Sequence, residues 1–102
     1  MDIRFSDKQL NSIRDQALIY QCACPAQVAT SISELRRLHI MQGACLNEGA
    51  VDVAVHEQIR RSAEKAHAEM ESCLADILRL EGWDMQSLIM PTDLQKRLMD
   101  SV

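Results

Sequence analysis

Rings are almost absent from this chain. Phe5, Tyr20 and Trp83 are the only aromatics, one of each kind in 102 residues. A core so poor in rings must be filled by Leu, Ile, Val, Ala and the six Met. Glycine and proline are scarce too, at three and two, so turns are few and elements long. These shortages weigh against a sheet, whose strands draw on Val, Thr and aromatics in period-two runs. No apolar run approaches the roughly 20 residues of a membrane span. The stretch MDIRFSDKQL has no apolar core of signal-peptide length. A cytoplasmic chain with no membrane partner is expected, its four cysteines free thiols rather than disulfides.

An excess of positive charge is also missing. The net charge is −4, and it is uneven. Residues 1–46 carry five basic and four acidic side chains, whereas residues 47–102 carry six basic and eleven acidic. The second part repels phosphate backbones, so nucleic acid is not an expected partner. The length suits one domain spanning 1–102.

What is present is helical periodicity. Ser6 with Gln9 forms a capping box, and Phe5 with Leu10 a hydrophobic staple, which starts a helix over about 7–22. Leu10, Ile13, Ala17 and Tyr20 share its inner face. Pro25 cannot sit inside that helix but suits the first position of the next, with Cys24 as cap. A second helix over about 25–46 carries Val28, Ile32, Leu35, Leu38, Gln42 and Cys45 on one stripe. A third over about 51–81 carries Val55, Ile59, Ala63, Ala66, Met70, Cys73, Ile77 and Leu80, alternating by four and three up to a stop at Gly82. Short helical segments follow: Asp84 caps a turn, Pro91 interrupts, and Thr92 with Gln95 repeats the capping pattern. The expected fold is all-α, a helical bundle built on a long antiparallel hairpin.

Folding that hairpin at about residue 48 pairs positions whose numbers add to roughly 97. Ile32 then meets Ala66, Leu38 meets Ile59, and Cys24 comes level with Cys73, with Cys22 just beyond. Three thiols gather at the open end. Cys45 is 21 residues from Cys24 along one helix, about 31 Å, so a four-cysteine site is excluded. Cys22, Cys24 and Cys73 together would suit a soft metal ion or a redox sensor. The simpler reading is that Cys73 fills core space and the other two line a turn.

The segment Glu64-Lys65-Ala66-His67 is similar to the carboxylate–histidine ligand pair of ferritin-like di-iron proteins, which use it twice where this chain has one copy. Arg36, Arg37, Arg60 and Arg61 fall at one level of the hairpin and make a candidate anion site, unless Glu34, Glu57 and Glu64 neutralise them. No phosphate loop, nucleophile elbow or catalytic histidine pairing is found, so catalysis is not expected and no catalytic residue or cofactor is assigned. Met85, Leu88, Ile89, Leu94 and Leu98 crowd the tail with apolar side chains, a candidate interface with a protein partner or a second copy. The function these features suggest is an interaction or scaffold module, homodimeric, with the thiol site as the alternative.

Overall fold

The computed structural model describes residues 1–19, 23–44, 49–92 and 94. Among them are three helices and no strand: α1 (Asp7–Ile19), α2 (Ala23–Ala44) and α3 (Ala50–Glu81). The all-α hairpin is as expected, with α2 packed against both α1 and α3.

The helix ends follow the local chemistry. Gln9 N–H donates to Ser6 Oγ at 3.1 Å, and Ser6 N–H donates to Gln9 Oε1 at 2.8 Å. This reciprocal cap satisfies two amides that a helix start otherwise leaves open. Phe5 and Leu10, on either side of it, are both buried. The second helix starts two residues earlier than the sequence suggests, so Pro25 is its third residue. A proline is tolerated there because first-turn amides have no intrahelical acceptor. α3 ends at Gly82, whose φ of 83° is left-handed. Gly82 N–H donates to Arg79 O and Trp83 N–H to Leu78 O, closing the last carbonyls.

The core lies at the open end of the hairpin. Leu10 and Ile13 of α1, Ala29 and Ile32 of α2, and Leu74, Ala75 and Leu78 of α3 meet there, joined by Phe5, Trp83, Leu88 and Met90. Burying each large aliphatic side chain contributes about 1.5–3 kcal/mol. Residues 83–90, beyond α3, fold back onto this core. Asp84 Oδ1 accepts the N–H groups of Gln86 and Ser87 at 2.9 and 2.8 Å, the turn its position suggests. These bonds hold its carboxyl below the usual carboxylate range. Gln16 of α1 then clamps the chain: its amide nitrogen donates to Leu88 O and its oxygen accepts from Met90 N–H, both at 2.8 Å.

The buried faces are rotated from the expected stripes. On α3 the buried residues are Ala63, His67, Glu71, Leu74, Ala75 and Leu78. Ala66, Met70, Cys73 and Ile77 form a half-buried flank, and Val55 and Leu80 are exposed. On α2 the face runs through Ala26, Ala29, Ile32 and Arg36, with Val28 and Leu35 beside it and Leu38 exposed. Polar residues occupy core positions on both helices, and that broke the apolar pattern.

Candidate functional site

Two places on the molecule invite a functional reading: a buried polar network across the hairpin and an apolar surface at its closed end.

The network centres on Arg36. Its Nε donates to His67 Nε2 at 3.0 Å. One terminal nitrogen donates to Asp7 Oδ1 at 2.7 Å, and the other to Phe5 O at 2.5 Å and Glu71 Oε2 at 3.1 Å. The same carboxylate oxygen accepts the N–H groups of Arg4 and Phe5 at 2.8 and 2.9 Å. Arg36, His67 and Glu71 are only 8%, 1% and 4% exposed. Buried charges are stable only when paired and hydrogen-bonded, and this guanidinium and carboxylate are both. Because His67 Nε2 accepts from Arg36, Nδ1 carries the proton. Nδ1 lies 3.5 Å from Glu71 Oε1 without forming a hydrogen bond. Burial lowers the His67 pKa; Glu71 opposes that and Arg36 and His39 add to it. His67 is therefore a neutral, enclosed ring whose accepting nitrogen is occupied. The network fastens residues 4–7 to α2 and α3.

Other polar pairs cross the hairpin outside this core. His39 Nε2 donates to Glu64 Oε1 at 2.9 Å, and that bond is the main reason the Glu64 carboxyl is lowered. His56 Nδ1 donates to Gln42 Oε1 at 2.7 Å. Glu64 and His67, the carboxylate–histidine pair of the sequence, thus face different partners. Gln42 meets His56 close to the expected register, whereas Arg36 faces His67 rather than Arg61, about six residues further along α3.

The four arginines are not brought together as one cationic group. Arg36 points into the core, while Arg60 and Arg61 both reach Glu57, at 3.5 and 3.6 Å, and Arg37 is exposed. Of the thiols, Cys24 is exposed and Cys73 half-buried, both free. Cys22 lies outside the described residues, as does Cys45. Among the described residues no three His, Cys, Asp or Glu side chains are placed to hold a metal ion. Of the tail residues, Leu88 is buried and Leu94 packs against the core in the same chain. Met85 and Ile89 remain exposed, and Leu98 lies outside the described residues.

The closed end of the hairpin is different. None of residues 37–43 or 51–62 is buried. Yet Leu38, Ile40, Met41, Val51, Val53 and Val55 are there, with Ile40 at 69% and Val51 at 77% exposure. Val51, Ala54, Val55, Gln58 and Ile59 line a shallow apolar groove on α3. Periodicity alone places Val55 and Ile59 on the packed stripe of the hairpin. The two do share one face of α3, but the described residues of α1 and of the chain beyond Gly82 pack at the other end. No helix among the described residues is long and apolar enough to cross a membrane.

Comparison with known proteins gives no match: no family model, curated protein or solved structure is similar to this chain.

Proposed function

We propose that the chain is a small cytoplasmic interaction or scaffold module that acts through protein contacts, forms a homodimer and carries out no catalysis. The observation that supports this is the hairpin end, where two helices present large apolar side chains and bury none of them. Isolated exposed hydrophobics are ordinary, but a run of them on both helices of one projecting hairpin marks a contact surface. The polar network at the other end serves to hold the chain together, which suits a rigid platform.

Co-purification from native cytosol tests this reading. Tagged wild type is compared with a Cys22→Ser/Cys24→Ser variant, and untagged protein is assayed for metal. Equal partner sets and no stoichiometric metal support the module. A bound soft metal ion that is lost in the variant replaces it with the thiol alternative.

A further inference from the structure

The groove on α3 has a pattern that selects its occupant. Its residues recur at intervals of three and four, so they share one face. The large ones are symmetric in sequence about Val55, with Val51 four residues before it and Ile59 four after. A second copy of the same helix, laid antiparallel across Val55, sets Val51 against Ile59 at both ends and Val55 on its own counterpart. Ala54 beside the crossing point is small and lets the two backbones approach.

Charge fixes the direction. Asp52 precedes Val55 by three residues, and Arg60 and Arg61 follow it by five and six; Glu57 neutralises one of the two arginines, so that end keeps a single net positive charge. Antiparallel crossing brings the acidic end of one copy beside the basic end of the other. Parallel crossing sets like charges side by side. Such a contact is isologous and closes on itself as a two-fold dimer. No described residue of the chain itself covers the groove, since the tail turns back onto the core beside α1.

We infer that the Val51–Ile59 face of α3 is the contact between two copies of the chain, which cross antiparallel at Val55 and join their hairpin ends into a four-helix bundle. The inference rests on the reading of the chain as an interaction module and narrows the hairpin-end surface of that reading to one face of α3 and one partner.

The test is multi-angle light scattering over a concentration series, with helix content followed by circular dichroism. Wild type is expected to be a dimer. Val55→Glu places two carboxylates face to face on the symmetry axis and should weaken dimerisation at least about tenfold. Its helix content should stay unchanged, because position 55 is exposed in the single chain. Asp52→Arg should also weaken the dimer, and Asp52→Arg with Arg61→Asp should restore it. That rescue is expected only of the antiparallel register. Wild type that stays monomeric at every concentration overturns the inference and the homodimer of the proposed function, and leaves a monomeric module that binds a different protein. A dimer indifferent to Val55→Glu overturns the surface and keeps the dimer.

Discussion

Glu71, midway along the core half of α3, accepts the backbone N–H of Phe5 at 2.9 Å, across 66 residues of chain. Through the same oxygen it holds Arg4 N–H and the Arg36 guanidinium. One side chain thereby joins the start of the chain, α2 and α3.

Replacing Glu71 by alanine should therefore be severe. It leaves the buried Arg36 with only the solvent-exposed Asp7 as counter-charge and two amides without an acceptor. Loss of one partner from a buried pair costs about 3–5 kcal/mol. Glu71→Gln keeps an acceptor for the amides and should cost less. Urea denaturation of both variants beside wild type measures the difference. Equal, small losses would show that the contact is not maintained in solution.

Stability should fall on mild acidification because of His67. Its folded pKa is depressed below the ordinary 6.5 by burial. For a base lowered in the fold, the unfolded chain binds the proton first. The stabilisation is complete above about pH 6.5 and fades as pH drops through the interval down to the depressed value. The slope within that interval approaches about 1.4 kcal/mol per pH unit. Asp84 and Glu64, whose carboxyls are also lowered, act in the same direction but only near the ordinary carboxylate range, where they gain protons. Denaturation curves at pH 7.5 and 5.5 for wild type and His67→Gln separate these effects. The variant should show the smaller change between them.

Gln16 offers a cleaner local test. Its amide makes both hydrogen bonds that clamp the tail to α1, to Leu88 O and Met90 N–H. Gln16→Ala removes the pair at a cost of about 1–3 kcal/mol, at roughly 0.5–1.5 per bond. Trp83 is the one tryptophan of the chain and shares the core with Leu88 and Met90. Its emission should shift to the red at a lower denaturant concentration in the variant.

Two glycines should respond with opposite sign. An added Cβ meets nothing within 4 Å at Gly43 or at Gly82, so only the backbone decides. Gly43 lies within α2, and Gly43→Ala should stabilise by about 0.5–1 kcal/mol. Gly82 sits at φ 83°, where alanine costs about 1–2 kcal/mol. Thermal midpoints should move up for the first and down for the second, by several degrees each.

Much of this architecture could be read from sequence because it depends on local signals. Ser6 and Gln9, Gly82, and the turn at Asp84 each act within a few residues, and they lie where their chemistry demands. The faces of α2 and α3 were harder. Leu74 and Leu78, both fully buried, fell outside the apolar stripe because the positions that link them to Ala63 are His67 and Glu71. Those residues look like surface until Arg36 and the amides of Arg4 and Phe5 are brought to them, and only the tertiary fold does that. The apolar face at Val51, Val55 and Ile59 was visible as a stripe. Periodicity does not reveal whether anything in the same chain covers such a stripe.

From Val51 onward, the buried residues of α3 all lie at Ala63 or beyond, so a single unbroken helix runs from a densely packed region into one where no described residue is buried. Its amides should exchange with solvent deuterium on two scales. Those of Leu74 and Leu78 wait for the whole fold to open, whereas those of Val53 and Val55 escape by local fraying. If two arms clasp, dilution should speed exchange in the outer turns far more than in the inner ones. The inner turns of the same helix then provide the reference against which the clasp is measured.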